Sequence, residues 1–259
     1  MITSKAFFGA IVASLGFTAC VSTSAQAFTF VEIANTATSD FTTLGDTAIN
    51  DLGQVAFAAN VGGQSGIFSG DGGVIAPVVD LGEGLTGLSL VDINSAGTVV
   101  FAQAGAPGIF TSSGGIITPL VTEASSLGQL GFTADLFFAP QINELGAITF
   151  TANNFATNNQ GLYLAKDGVI TAIAEAPDFD IFRFSINNND QIAFFSISGL
   201  APDGDAVFIS DSGGAPVALP DPLGFGTIEG PTLNDNGAVA FDTLVFDDAG
   251  DALQSIIIQ

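Results

Sequence analysis

The chain has 259 residues, of which 47% are hydrophobic and only 11% charged, so it can bury one large core or two small ones. Acidic residues outnumber basic ones by 26 to 3, histidine is absent, and the formal net charge is -23. This charge repels nucleic acid and anionic lipid, and it favours a cationic ligand or an unknown protein as partner. The 32 glycines and 24 phenylalanines indicate short apolar strands joined by tight turns.

Residues 1–27 have the layout of a secretory signal peptide. Lys5 precedes an apolar run from Ala6 to Ala19, which is too short to span a bilayer, and Ala25-Gln26-Ala27 resembles a cleavage site. We therefore predict cleavage after Ala27 and an exported mature chain that is periplasmic, attached to the cell surface or extracellular. No later stretch is long and apolar enough to predict a membrane span.

A second interpretation of the leader is lipoprotein processing, with a lipid anchor at Cys20. The segment Phe17-Thr18-Ala19-Cys20 loosely resembles a lipobox, although phenylalanine is an unusual first residue for it. Under the first interpretation the mature chain has no cysteine, so its stability must come from packing without disulfides.

A ten-residue stretch, Ala48 to Phe57, recurs four more times along residues 28–259. Its asparagine marks each copy, and the intervals between copies lie in the mid-forties. The five asparagines are Asn50, Asn94, Asn143, Asn187 and Asn234. A repeat of about 45 residues is typical of the four-stranded blades of a β-propeller, so we predict an all-β, five-bladed propeller of antiparallel blades.

Each repeat is predicted to hold four strands. A first strand such as Leu88–Ile93 runs into the Asn-x-x-Gly turn, and a second strand such as Gln54–Val61 follows it. The third strand contains a triplet such as Gly66-Ile67-Phe68, and the fourth resembles Val74–Val79. In the turn, asparagine can bond the backbone two residues on and glycine supplies the positive φ. Asp190 stands where the fourth repeat should have glycine, which aspartate tolerates at some cost.

The second strands explain how blades should pack. Each carries a phenylalanine on one face: Phe57, Phe101, Phe150, Phe194 and Phe241. The residue before it points to the other face and is smaller: Ala56, Val100, Thr149, Ala193 and Ala240. We predict that the large face of one blade nests against the small face of the next, so that both faces are buried.

We also predict that the ring closes through the two ends of residues 28–259. Pro77, Pro119 and Pro216 fall in fourth strands, where proline is tolerated only at a sheet edge. Ser255 to Ile258 reads as the third strand of the fifth repeat, and Phe28 to Ala34 reads as the fourth strand that it needs. Two other arrangements stay open: an open stack of hairpins, and a ring completed by self-association.

At these motifs the chain resembles the NxxGxxAF tandem-repeat proteins, which are exported bacterial proteins with a choice of C-terminal anchors. The clearest copy is Asn50, Gly53, Ala56 and Phe57, and the five copies cover essentially all of residues 28–259. A more distant similarity is to HAF-type extracellular repeats. No anchoring tail follows the last repeat here, so surface attachment would depend on Cys20. The resemblance implies an exported propeller and no particular reaction.

The sequence places its acidic residues mainly on one side of the predicted ring. The turns between first and second strands are short, whereas the connections between blades are long and acid-rich, and such loops often carry binding residues. We select Glu175, Asp178 and Asp180 with Arg183 as a candidate ligand site. Arg183 could orient an anionic group in the central channel, or it could form a structural ion pair.

Two further acidic stretches are candidates for calcium. Asp203 and Asp205 flank a glycine, and Asp247, Asp248 and Asp251 form a second group. Carboxylates spaced in this way can ligate a hard cation through oxygen, but neither stretch completes a calcium-binding loop. The alternative is that both are solvated turns.

The lack of histidine and of a mature cysteine excludes Ser-His-Asp triads, Cys-His pairs and histidine-ligated zinc. We therefore favour a non-catalytic propeller that binds a partner or has a structural role at the cell envelope or outside the cell. The alternative is a secreted glycan-acting hydrolase that uses a carboxylate pair such as Asp92 and Glu229. The absence of tryptophan and the single tyrosine count against that alternative.

Overall fold

The computed structural model describes residues 29–79, 85–103, 108–122, 130–131, 140–154, 159–176, 180–201, 204–219, 227–246 and 252–258. These residues form twenty strands and no helix, so the predicted all-β class is confirmed. The strands make five antiparallel sheets, and each sheet contains one copy of the asparagine motif.

Sheets 1 and 2 have four strands each and keep the order of the chain. Sheet 1 consists of β1 (Phe41–Ile49), β2 (Val55–Val61), β3 (Gln64–Gly70) and β4 (Ala76–Val79). Sheet 2 consists of β5 (Leu88–Ile93), β6 (Val99–Gln103), β7 (Gly108–Ser113) and β8 (Ile116–Thr122). The strand predicted at Leu88–Ile93 has the same bounds as β5.

Sheets 3, 4 and 5 follow the same path with small variations. Sheet 3 consists of β9 (Leu130–Gly131), β10 (Gln141–Ile142), β11 (Ile148–Asn154), β12 (Asn159–Lys166) and β13 (Val169–Ala176), with β9 paired to β11. Sheet 4 consists of β14 (Asp180–Ile186), β15 (Gln191–Ala201), β16 (Gly204–Asp211) and β17 (Val217–Ala218). Sheet 5 consists of β18 (Thr227–Leu233), β19 (Val239–Phe246) and β20 (Ala252–Ile258).

The asparagine turns have the predicted chemistry. In sheet 3, Asn143 Oδ1 accepts hydrogen bonds from Leu145 N and Ala147 N, and Gly146 has a φ of 84°. The other turns repeat this arrangement with glycine at positive φ, apart from the fourth. There Asp190 adopts a φ of 59°, and its carboxylate is bonded to neighbouring side chains, which offsets the cost of that backbone conformation.

The predicted nesting of large faces on small faces is confirmed. In one core cluster, Phe101 and Phe110 of sheet 2 pack with Ala56, Ala58 and Ile67 of sheet 1. Corresponding clusters join sheet 2 to sheet 3, sheet 3 to sheet 4, and sheet 4 to sheet 5. Within a sheet the motif phenylalanine also stacks on an aromatic ring of the third strand, as Phe194 does on Phe208 with 5.2 Å between ring centroids. Apolar burial therefore stabilises each of these four contacts between neighbouring sheets.

The prediction that Phe28 to Ala34 pairs with Ser255 to Ile258 is wrong in the described part of the chain. Residues 29–34 belong to no strand, Phe28 lies outside the described residues, and β20 pairs with β19 alone among the described strands. Ile33 and Ala34 instead cover the phenylalanine face of sheet 1, where the rings of Phe41, Phe57 and Phe68 cluster. Covering those rings removes apolar surface from water without any strand pairing.

Candidate functional site

Glu175, the first residue of the predicted ligand site, is part of a polar cluster in sheet 3. Its Oε1 accepts a 2.5 Å hydrogen bond from Tyr163 Oη and a 3.1 Å hydrogen bond from Asn154 Nδ2. Burial, and then the Glu175 carboxylate, raise the pKa of Tyr163. Glu175 is thus occupied in joining three strands of one sheet.

The other predicted ligand residues are not brought together with Glu175 by any described contact. Asp178 lies outside the described residues, and Asp180 is the first residue of β14. Arg183, also in β14, is exposed and lies against Gly230 of sheet 5. A Cβ built on Gly230 would be 2.5 Å from Arg183 Cδ, so a side chain at this position would require the arginine to shift. No carboxylate whose side chain is described forms an ion pair with Arg183.

The predicted calcium residues fall largely outside the described residues. This applies to Asp203, Asp247, Asp248 and Asp251, whereas Asp205 lies in β16. Among the side chains that are described, no group of three or more carboxylates could hold a metal ion.

Side chains of the asparagine turns link each sheet to the next. The amide Nδ2 of every asparagine but the last donates to the backbone carbonyl of the next one along the chain. The four bonds run from Asn50 to Asn94 (3.0 Å), Asn94 to Asn143 (3.2 Å), Asn143 to Asn187 (2.9 Å) and Asn187 to Asn234 (2.9 Å). We call these four bonds the asparagine row.

A second set of bonds uses the residue that follows four of the five asparagines, from Asn94 to Asn234. Glu144 Oε2 accepts from Ser95 N at 2.8 Å, and Asn188 Oδ1 accepts from Glu144 N at 2.8 Å. Asp235 in turn accepts from the backbone N–H and the side-chain amide of Asn188, both at 2.9 Å, and these bonds lower the pKa of Asp235. Two of the acids near the turns are therefore acceptors for the preceding sheet.

Asp92, one half of the carboxylate pair suggested for a hydrolase, also bridges two sheets. Its Oδ1 accepts from Ile93 N and its Oδ2 from Ile142 N of sheet 3, both at 2.9 Å. Burial raises the pKa of Asp92, while the two backbone bonds oppose this effect and the charge of Glu144 adds to it. Glu229, the other half of the pair, lies in β18.

Asp190 joins sheets 3 and 4 from the position where the other turns have glycine. Its carboxylate is buried, accepts a 2.8 Å hydrogen bond from Asn143 Nδ2 and forms an ion pair with Lys166. The hydrogen bond to Asp190, and then its charge, raise the pKa of Lys166. The departure from the repeat pattern therefore has a structural explanation.

A cleft of about 300 Å³ lies between sheets 1 and 2, beside the starts of β1 and β5. Apart from Leu88, its lining residues are small or polar, and none is charged. They are Thr43, Gly45, Ala58, Ala59, Asn60, Ser65, Gly87, Leu88 and Ser89. Asn60 organises the polar part, because its Nδ2 donates to Thr43 Oγ1 at 2.7 Å and its Oδ1 accepts from Ser65 Oγ at 2.8 Å.

The sequence did not predict this cleft, because the predicted binding sites were chosen from the positions of acidic residues. The cleft lies on the predicted ligand-displaying side, yet its polar groups are hydroxyls and one amide. The available signal was the small-residue pattern: Gly45 and the Ala58-Ala59 pair leave space where a larger side chain could have stood.

No protein-family model and no curated protein sequence matches the chain. Among solved structures, TolB from Acinetobacter baumannii is similar, with a TM-score of 0.50 and 16% identity over 83% of this chain. The match covers 51% of TolB, so this chain spans about half the length of that protein. Virginiamycin B lyase from Staphylococcus aureus gives a TM-score of 0.49 and 16% identity over 86% of this chain and 73% of the lyase.

A likeness at this identity concerns the fold alone. The TolB match and the five antiparallel sheets give the chain a β-propeller-type fold. No helix that is long and apolar enough to cross a bilayer occurs in the described part of the chain.

Proposed function

We propose that the chain is an exported, non-catalytic propeller that acts as a binding or structural module at the cell envelope or outside the cell. The observation that carries this proposal is the use of its carboxylates. Three carboxylates accept a hydrogen bond from a backbone N–H of a neighbouring sheet: Asp46, Asp92 and Glu144. Two more, Asp190 and Asp235, accept a hydrogen bond from a side chain of a neighbouring sheet. These five carboxylates are hydrogen-bond acceptors between sheets, which favours a structural role for them over a catalytic one.

Two features of the sequence support export. Residues 1–27 have the layout of a signal peptide, and the repeats resemble the exported NxxGxxAF proteins. Calcium binding by the acidic loops is part of this proposal, and a rise in the melting temperature on adding calcium chloride would support it by linkage.

The alternative function is a secreted glycan hydrolase, and one observation favours it. A buried carboxyl with a raised pKa, such as Asp92, has the property that a general acid needs. Against this, both carboxylate oxygens of Asp92 are already engaged by backbone N–H groups.

The test is hydrolysis of a panel of soluble glycans by the purified chain, beside the variants Asp92→Asn and Glu229→Gln. We expect no hydrolysis by any of the three proteins. Hydrolysis by the parent chain that either variant abolishes would replace the proposed function with the alternative. Far-UV circular dichroism of each variant would verify that it is folded.

We also propose that the five sheets close into one ring, with sheet 5 packed on the side of sheet 1 that Ile33 and Ala34 cover. The exposure of one position in the third strand of each sheet supports this proposal. In each third strand one residue pairs with the motif phenylalanine, and the position in question immediately precedes that residue. Ile67, Ile109, Leu162 and Val207 occupy it in sheets 1–4 and are each 0% exposed, because the following sheet covers them. Its equivalent in sheet 5, Ile256, is 81% exposed.

The substitution Ile256→Asp separates a closed ring from an open one. If sheet 5 packs on sheet 1 in solution, the buried unpaired charge should lower the free energy of unfolding by about 3 kcal/mol or more. If the face stays open, the change should be within about 0.5 kcal/mol, as for the exposed control Leu52→Asp. Light scattering would distinguish closure within one chain from closure between two.

A further inference from the structure

We propose that the cleft between sheets 1 and 2 binds a small, neutral, polyhydroxylated molecule of about the size of a monosaccharide. This inference rests on the proposed non-catalytic binding function and names the ligand class and the site. A volume of about 300 Å³ is at the lower end of the range for small-molecule sites in proteins.

The charge of the lining selects a neutral ligand. The chain carries 26 acidic residues, yet none of the residues that line the cleft is acidic or basic. Asp46, which follows the lining residue Gly45, is engaged by Leu90 N at 3.1 Å. A cation would find no carboxylate in this lining, and an anion would be repelled by the net charge of -23.

The polar groups of the cleft suit hydroxyls, which donate and accept at once. Asn60 is held by Thr43 and Ser65, and its amide retains a second hydrogen and a second acceptor position for a ligand. Thr43 accepts from Asn60 and so can turn its own hydrogen toward the cleft, while Ser89 adds a hydroxyl from sheet 2. Groups held in place before binding lose less entropy when the ligand arrives.

The backbone beside the cleft is irregular in both sheets. The β1–β2 pairing shifts register between Leu44 and Thr47, and the β5–β6 pairing shifts between Ser89 and Asp92. Leu90, within the second shift, has a φ of 54°, which is uncommon for a residue other than glycine. The first two strands of sheets 4 and 5 show similar register shifts, so the irregularity belongs to the repeat and supplies the curved backbone beside which the cleft forms.

A buried acceptor lies in the strand next to Leu88. Gln103 pairs with Leu88 across β5 and β6, and its Oε1 is buried with no hydrogen-bond partner among the described residues. A buried polar atom without a partner is costly, and Gln103 lies in the same pair of strands as the cleft although it does not line it.

The experiment is isothermal titration of the full chain with D-glucose, D-galactose, D-mannose and myo-inositol, with D-glucuronate as the charged counterpart. We expect at least one neutral compound to bind more tightly than glucuronate. Asn60→Ala should weaken that binding at least tenfold, because it removes the residue that organises the hydroxyls. Asn153→Ala, at the equivalent position of sheet 3 and outside the cleft lining, should leave the affinity unchanged.

A second variant separates loss of the site from loss of the fold. Gly45→Val narrows the cleft, since a Cβ at Gly45 would be 3.4 Å from Ala58 Cβ in an exposed strand that accepts β-branched residues. We expect it to abolish binding while the melting temperature is kept. Failure of all four neutral compounds, or binding that survives both Asn60→Ala and Gly45→Val, would overturn this site and leave the non-catalytic function intact. Turnover of a glycan would instead overturn the function.

Discussion

The interfaces between sheets 1 and 2 and between sheets 3 and 4 follow the same repeat signature but are joined differently. Between sheets 3 and 4, Gln141 Nε2 donates to Phe184 O at 2.9 Å and its Oε1 accepts from Ile186 N at 3.2 Å. The equivalent residue of sheet 1 is Ala48, which has no polar side chain. Sheets 1 and 2 are joined by Asn50, by Asp46 and by a 2.8 Å hydrogen bond from Ser112 Oγ to Val78 O. The open cleft lies at the other end of β1 from Asn50, next to Gly45.

This difference teaches that the repeat provides two separable layers of contact. The apolar layer is present at both interfaces, with the phenylalanine face of one sheet on the small face of another. The polar layer varies, because the residues around each asparagine differ between copies. A tightly bonded interface suits a structural role, whereas a sparsely bonded one leaves room for a ligand.

The largest effect is expected from the apolar layer. Phe194→Ala and Phe101→Ala should each lower the free energy of unfolding by about 3–5 kcal/mol, because both rings are fully buried and leave a cavity. Urea denaturation of the two variants would measure this. A markedly smaller loss for Phe101→Ala would mean that apolar packing contributes less between sheets 1 and 2 than between sheets 3 and 4. That result would contradict an apolar layer common to both interfaces.

Removal of one asparagine side chain tests the asparagine row. Asn143 is buried and makes four side-chain hydrogen bonds, so Asn143→Ala should cost about 2–3 kcal/mol by leaving buried groups unpaired. Asn234→Ala is the matched control, because Asn234 makes the same turn but is exposed, and about 1 kcal/mol is expected. If both variants lose the same free energy of unfolding, measured by thermal or urea denaturation, the bonds between sheets do not contribute to stability.

Gln141→Ala would give sheet 3 the residue type that sheet 1 has at the equivalent position, Ala48. Two hydrogen bonds to β14 are lost, so we expect a loss of about 1–2 kcal/mol in urea unfolding. Ser185→Ala, at the equivalent position of sheet 4, removes one 3.3 Å bond to Leu233 N and should cost about 0.5 kcal/mol. If Gln141→Ala leaves the free energy of unfolding unchanged, the hydrogen bonds of Gln141 do not stabilise the interface.

The smallest effect concerns pH at the contact between sheets 4 and 5. Because bonds from Asn188 lower the pKa of Asp235 below its ordinary 3.8, its ionised form stabilises the folded chain above about pH 4. That contribution is lost as the pH falls through the folded pKa. Asp235→Asn should therefore reduce the fall in melting temperature between pH 5 and pH 2.5, measured by calorimetry. If the melting temperature of the variant depends on pH as that of the parent does, protonation of Asp235 is not coupled to folding.

The local elements were predictable from the sequence because their causes lie within a few residues. The Asn-x-x-Gly turns follow from an asparagine that bonds its own backbone and a residue that accepts positive φ, as at Asn143 and Gly146. Alternation along β6 and β15 predicted that Phe101 and Phe194 lie on the face opposite their small neighbours, and both faces are buried. Residues 29–34 were mispredicted, because an apolar alternating segment can pair as a strand or cover a sheet equally well.

The candidate site could be predicted only in part. The side of the molecule that carries the long connections was evident from loop length, and the cleft lies on that side. Its residues were not evident, because Thr43 and Asn60 have no distinctive motif and meet only through the β1–β2 pairing. From the sequence, Asp92 was a candidate for a catalytic carboxylate pair. In the structure its carboxylate accepts a hydrogen bond from another sheet, which gives it a structural role.

The sequence by itself determined the strands, the turns and the face that each phenylalanine buries, since these depend on spacing and on local backbone chemistry. Only the tertiary structure decided which side chains of separate repeats meet: Asp190 with Lys166, Gln141 with β14, and Asn60 beside the cleft. Those contacts join residues of different strands or different sheets, and the geometry of the packed sheets sets them rather than any pattern within one repeat.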